Sequence, residues 1–91
     1  MIEIERKNQN EFLVVVREKE TRSEHLVTLD DAHYQLLTQG KIPKEDLIRR
    51  SFQFLLEGEP QESILRTFNL RVITRYFPEY EEKISFSMAE G

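Results

Sequence analysis

Alternation of apolar and polar residues predicts that the first third of the chain is a β-sheet. Ile2 and Ile4 alternate with glutamates, and residues 12–16 form the longest apolar run, which is rich in β-branched side chains. A third alternating stretch follows at residues 25–29, after the polar segment 18–22. Because the connections between these stretches are short, they favour a three-stranded antiparallel meander.

The middle strand is apolar at consecutive positions, so both of its faces should be at least partly covered. Phe12 and Val16 point to one side, whereas Leu13 and Val15 point to the other. If helices cover the first side, then Leu13, Val15 and Leu26 of the next strand need a different partner. A homodimer is the simplest solution, and the alternative is that the C-terminal tail or the first helix folds over this side.

After residue 29 the apolar spacing changes to that of helices. Asp30 is a suitable N-cap and Asp31 suits the positive end of a helix dipole, so a short helix is expected to about residue 38. The clearest helix covers residues 43–57, where apolar side chains form a wide arc. Such an arc predicts contact with both the sheet and another helix.

Two shorter helices are predicted at residues 61–67 and 70–77, and Pro78 ends the second. Residues 1–80 are expected to form one domain, followed by the acidic tail 81–91. Apolar residues alternate with polar ones in this tail: Ile84, Phe86 and Met88. Two interpretations stay open: the alternation fits an edge strand, and the other is a frayed terminus with incidental apolar residues.

Composition fixes the size and class of the domain. The chain has 91 residues, which allow one small domain, and 38% hydrophobic residues with nine aromatics (six Phe and three Tyr) are typical of a folded protein. The expected fold class is α+β: a three- or four-stranded antiparallel meander followed by three to four helices packed mainly on one face.

Charge and cysteine content exclude several classes. No cysteine is present, which excludes disulfides, thiolate metal sites and thiol nucleophiles. No apolar run approaches the roughly 18 residues that span a bilayer, so a cytoplasmic protein without a membrane partner is expected. The net charge of −4 disfavours nonspecific binding to nucleic acid and to anionic membranes.

The sequence predicts no enzyme, no cofactor and no metal. His25 and His33 lie near Asp30 and Asp31, but the two histidines lack the helical i, i+4 spacing of a zinc pair. His33 falls within an apolar arc and is interpreted as a partly buried histidine that hydrogen-bonds to a neighbour. No serine lies in a nucleophile-elbow pattern, and three scattered glycines make no phosphate-binding loop.

A protein-interaction or regulatory module, which binds itself or an unknown protein partner, is the expected function. Its predicted interface comprises Leu13, Val15, Leu26 and Tyr80, the last an aromatic residue beside the acidic tail. The alternative is nucleic-acid binding through an arginine face on the C-terminal helices, formed by Arg66, Arg71 and Arg75. Arginines opposite an apolar stripe are otherwise an ordinary solvated helix face.

Residues 40–81 resemble a group of short uncharacterised prokaryotic proteins. The similar segments begin with Gly-Lys-Ile-Pro at residues 40–43 and end with Tyr-Phe-Pro-Glu-Tyr at 76–80, which is the most specific of them. The resemblance covers a little under half of the chain. It implies a prokaryotic, cytoplasmic setting, and it assigns no catalytic or binding residue.

Overall fold

The computed structural model describes residues 1–90, with side chains for residues 1–85, and has the predicted α+β fold. Its elements are β1 (Ile2–Arg6), β2 (Glu11–Glu18), β3 (Thr21–Thr28), α1 (Asp31–Thr38), α2 (Lys44–Gly58), a 3-10 turn (Gln61–Ser63), β4 (Thr67–Asn69), α3 (Val72–Tyr76) and α4 (Tyr80–Glu90). No helix within residues 1–90 is long and apolar enough to cross a membrane.

The sheet has the order β1-β2-β3-β4, and its first three strands form the predicted antiparallel meander. The fourth strand, β4, pairs in parallel with β3, so the sheet is mixed rather than wholly antiparallel. The helix predicted at 70–77 is present in shorter form as α3, but the one predicted at 61–67 is only the 3-10 turn Gln61–Ser63, and the chain is extended at Thr67–Asn69. The reason is tertiary: the Leu26 amide donates to the Arg66 carbonyl at 2.6 Å, and the Leu70 amide donates to the Thr28 carbonyl at 2.9 Å. These bonds to the free edge of β3 outweigh a weak local helical preference.

The first two helix starts predicted after the sheet are confirmed. The Asp30 side chain accepts a 2.7 Å hydrogen bond from the His33 amide and caps α1. Gln39 and Gly40 then adopt left-handed backbone angles, with φ of +54° and +75°, and end the helix. The second helix, α2, begins directly after Pro43 and covers nearly the predicted range.

The core lies between one side of the sheet and the helices. Phe12, Val14 and Val16 of β2 are fully buried, as are Leu47 and Phe52 of α2. Fully burying one such side chain stabilises the fold by about 1.5–3 kcal/mol. Helices therefore cover this face of the sheet, as the predicted fold class has it.

The tail is helical, so the predicted edge strand is wrong. Tyr80 and Ile84 are buried and lie four residues apart, which places them on one side of α4. This helix packs against α1, α2 and α3, and β4 already occupies the edge of the sheet beside β3. The side chains of Phe86 and Met88, which carried part of the prediction, lie outside the described residues.

Candidate functional site

The side of the sheet turned away from the helices, here called the open face, carries a short apolar stripe. Phe52 of α2 lies 5.4 Å from the ring of His25, so α2 is on the side of β3 to which His25 points. Because side chains alternate along strands, Leu13, Val15 and Leu26 point to the opposite side. All three are half-buried. Leu13 and Leu26 are direct cross-strand neighbours.

Neither of the predicted alternatives covers this stripe. Tyr80 of α4 hydrogen-bonds to Ser51 of α2 at 2.6 Å, which places the tail helix in the helical layer. The first helix, α1, contacts both α2 and α4 and belongs to the same layer. The open face is thus left to the sheet's own side chains in the part of the chain that the structure describes.

Ion pairs flank the stripe. In the sheet register Val15 lies between Glu3 of β1 and Glu24 of β3. The Arg17 guanidinium contacts Glu3 at 2.6 Å, and Arg22 forms an ion pair with Glu24. The side chains of these four charged residues are about half exposed, between 47% and 53%. They surround the apolar residues as a polar rim surrounds the core of an interface.

On the open face the two ends of β2 carry opposite charge, Glu11 at one end and Arg17 at the other. Arg17 and Arg22 are paired in register at the end near the β2–β3 turn. Glu5 and Glu11 lie toward the other end, where Lys7 contacts Glu5 at 3.1 Å. Charged residues therefore lie at both ends of the open face, and the apolar residues lie between them.

The outer edge of β1 is partly capped. Met1 and Arg17 exchange two backbone hydrogen bonds of 2.6 and 2.8 Å, so the carbonyl of Ile2 points away from β2. The Arg49 guanidinium of α2 donates to this carbonyl at 2.7 Å. An edge capped by an arginine is a poor template for another strand, which leaves the face as the better docking surface.

Tyr80 does not belong to any surface of this domain, so its place in the predicted interface is wrong. Its side chain is fully buried, and burial raises the pKa of its hydroxyl well above the ordinary value of 10. The tyrosine follows Pro78 at the start of α4, where its ring packs on Phe54 at 5.4 Å. It therefore anchors the last helix.

The three predicted arginines do not share a helix. Arg66 precedes β4, Arg71 lies at the N-terminus of α3, and Arg75 lies within α3. Arg71 donates two hydrogen bonds of 2.9 and 3.0 Å to the Asp30 carboxylate. This contact, followed by the His33 amide, lowers the pKa of Asp30 to about 2. Arg71 is thus paired within the domain, whereas Arg66 and Arg75 are exposed.

Sequence reasoning missed a polar cavity at the end of β3. It has a volume of about 580 Å³, and its lining includes Ser23, His25, Gln61 and Arg66. Ser23 Oγ lies 2.9 Å from Nε2 of His25, and Nδ1 of His25 lies 2.8 Å from the Leu65 carbonyl. The Gln61 Nε2 atom donates to Ser23 Oγ at 3.2 Å. Gln61 and Leu65 come from a segment about 40 residues away from β3, so no local pattern could have revealed the cluster.

His33 occupies a different environment in α1. It is almost fully buried, and its Nδ1 atom has no hydrogen-bond partner among the described residues. Burial is the main cause that lowers its pKa below the ordinary 6.5, with Arg71 adding to the effect. Within residues covered by the structure, no group of three or more His, Cys, Asp or Glu side chains is placed to hold a metal ion.

An apolar groove of about 410 Å³ borders the segment that follows α2, as the polar cavity also does. Its lining includes Leu55, Leu65, Phe68, Tyr76 and Phe77. Leu65 and Tyr76 are 50% and 69% exposed at its border. The groove and the polar cavity are separated by Ile64, which borders both.

Comparison with known proteins found no matching family model, no matching curated protein and no matching solved structure. The function of this chain must therefore be argued from its own residues, and the resemblance of residues 40–81 stays a prediction.

Proposed function

We propose that this chain is a small cytoplasmic interaction or regulatory module that associates with a second copy of itself through the open face. The observation that carries the proposal is the stripe of Leu13, Val15 and Leu26 on the side of the sheet that lacks helices. Apolar residues that stay partly accessible, lie next to one another and are rimmed by charges are typical of interaction sites.

Charge along the strands favours a second copy as the partner. In a two-fold symmetric dimer each surface meets itself in reversed orientation. If the β2 strands of two copies lie antiparallel across the interface, Arg17 of one copy faces Glu11 of the other. Opposite charges thus meet at both ends while the apolar stripes meet in the middle.

The size of the domain also favours association. A chain of 91 residues hides only about two-thirds of its surface when it folds, which leaves a small core. Two such sheets pack at a separation of about 10 Å and would close the open face as the second layer of a sandwich.

The test compares two variants that introduce the same charge at different places. Val15→Glu puts a carboxylate in the middle of the stripe, whereas Leu36→Glu puts one on α1, where Leu36 is already 66% exposed. Light scattering after size exclusion, at about 10–200 µM protein, should give roughly twice the chain mass of 10.9 kDa for wild type and Leu36→Glu. Folded Val15→Glu should give the single-chain mass.

Salt separates this proposal from nucleic-acid binding. An apolar interface keeps its mass in 0.5 M salt because screening leaves the hydrophobic contribution in place. A wild-type chain that is monomeric at every concentration would refute the proposal, as would a folded Val15→Glu variant that remains dimeric. Nucleic-acid binding through Arg66 and Arg75 stays a prediction, and it would show as an affinity that falls steeply with salt.

A further inference from the structure

We propose that Ser23 and His25 form a nucleophile and general-base pair that opens onto the polar cavity and accepts acyl groups from activated esters. Ser23 Oγ lies 2.9 Å from His25 Nε2, which is within the distance for direct proton transfer. This inference is independent of the proposed dimer, because the two residues point to the helical side of β3 and not to the open face.

The surroundings of His25 fix which ring nitrogen carries the proton. Nδ1 lies 2.8 Å from the Leu65 carbonyl, which can only accept a hydrogen bond, so Nδ1 carries the hydrogen. Nε2 then presents its lone pair to Ser23, whose hydroxyl donates to it. The ring is 1% exposed and packs against Phe52, so it is held in this orientation. A base oriented by a third group is the arrangement that activates a serine.

Gln61 supplies the hydrogen-bond donor that such chemistry needs. Its Nε2 atom lies 3.2 Å from Ser23 Oγ and carries a second hydrogen that can be donated to an oxygen bound beside the serine. Gln61 is only 5% exposed. The oxygen of its side-chain amide, Oε1, is buried and has no hydrogen-bond partner among the described residues. An unpaired buried amide oxygen is rare in native structures, and this one lies beside Ser23.

The cavity gives a small ester room to reach the pair. Its volume of about 580 Å³ is within the range of small-molecule sites, and Ser23 is half-buried at its lining. The orienting group at Nδ1 is a neutral carbonyl, which fixes the ring but adds no negative charge to stabilise an imidazolium. The expected substrates are therefore short acyl esters with good leaving groups, and amides are not expected to react.

The reaction is balanced with water as its second reactant. Ser23 Oγ forms a bond to the acyl carbon, the bond from that carbon to the leaving oxygen breaks, and the serine proton passes through His25 Nε2 to the leaving alkoxide. Water then attacks the acyl carbon and gives a proton to Nε2. The bond to Oγ breaks, Oγ takes that proton, and the products are an acid and an alcohol.

The sequence predicted no enzyme because no serine lies in a nucleophile-elbow pattern. Ser23 and His25 need no such motif, since residues two apart on a strand point to the same side. The two-residue spacing of Ser23 and His25 does not indicate a catalytic pair by itself. It gains meaning from Gln61 and Leu65, which the fold brings to the pair.

An alkyl fluorophosphonate tests the pair directly, because an activated serine attacks its phosphorus and displaces fluoride to leave a stable adduct. We expect one adduct on the folded wild-type chain by intact mass, mapped to Ser23 by peptide analysis. Ser23→Ala should abolish it, and Ser63→Ala, which changes an exposed serine of the 3-10 turn, should leave it unchanged. His25→Asn keeps a donor toward the Leu65 carbonyl and removes the base, so labelling should fall at least 100-fold, roughly the least that a general base contributes.

Circular dichroism establishes whether each variant is folded. If His25→Asn does not fold, wild type in urea replaces it, because unfolding separates the same residues without a mutation and must abolish labelling. The proposal is overturned if the folded wild type gives no adduct on Ser23. It is equally overturned if Ser23 is labelled at the same rate in the folded His25→Asn variant or in urea.

Discussion

A buried hydrogen bond between α2 and α4 predicts that Tyr80→Phe destabilises the wild-type chain but not the Ser51→Ala variant. Ser51 and Tyr80 are both fully buried. The Ser51 hydroxyl lies 2.8 Å from the Leu47 carbonyl and donates to it, so the Tyr80 hydroxyl donates to Ser51 Oγ over 2.6 Å. Removing either partner breaks the same bond, but only one removal leaves an unpaired buried group.

The free-energy costs should therefore be unequal. Tyr80→Phe removes the donor and leaves Ser51 bonded to Leu47, which should cost about 1 kcal/mol of the free energy of unfolding. Ser51→Ala leaves the tyrosine hydroxyl buried without an acceptor, which should cost about 1–3 kcal/mol, offset by about 0.5 kcal/mol from the higher helix propensity of alanine. In the double variant the orphaned hydroxyl is gone. Tyr80→Phe should then be neutral or stabilising when made in the Ser51→Ala background.

Urea unfolding followed by circular dichroism measures all four free energies of the cycle. Equal m-values across the four proteins would show that the same surface is exposed in each unfolding reaction. Additive effects, or a double variant that is less stable than Ser51→Ala alone, would refute the argument. Such a result would mean that α4 does not pack on α2 through the Tyr80–Ser51 hydrogen bond.

Two further predictions concern pH. The folded state holds the pKa of His33 below 6.5, so the unfolded chain takes up a proton first and the free energy of unfolding should fall as pH drops below about 6.5. Urea midpoints from pH 8 to pH 5 should show this fall, with a shallower slope for His33→Gln, and an unchanged slope would contradict it. Burial raises the pKa of Tyr80 above 10, so stability should be lost as pH rises above about 10. Tyrosinate absorbance from Tyr80 should appear only as the chain unfolds. Ionisation of Tyr80 in the folded chain would contradict this prediction.

The parts of the fold that follow from local signals could be predicted from the sequence. Alternation gave the meander and placed Leu13, Val15 and Leu26 on one side, while the Asp30 cap and Gly40 marked the ends of α1. These features depend on residues that are close in sequence or repeat with a simple period.

Features set by distant contacts were missed. The extended conformation of β4 depends on bonds to Leu26 and Thr28, about 40 residues earlier. Alternation of apolar and polar residues in the tail fits a strand. Tyr80 and Ile84 are nevertheless buried among the helices, and this burial favours a helix. The cluster around Ser23 was missed for the same reason: Gln61 is distant in sequence and contacts Ser23 only because the chain returns to the sheet after α2.

The short parallel strand β4 has a consequence for how the domain opens. Only three residues pair with β3, so a local opening event that detached this segment would leave the pairing of β1, β2 and β3 in place. The Leu26 amide bonds to the Arg66 carbonyl and is released by that event, whereas the amides of the adjacent residues on β3 face β2. Neighbouring amides on one strand thus exchange with solvent through different motions. The opening that frees Leu26 also withdraws the Leu65 carbonyl from His25, so the exchange rate of one amide reports how often the ring loses its support.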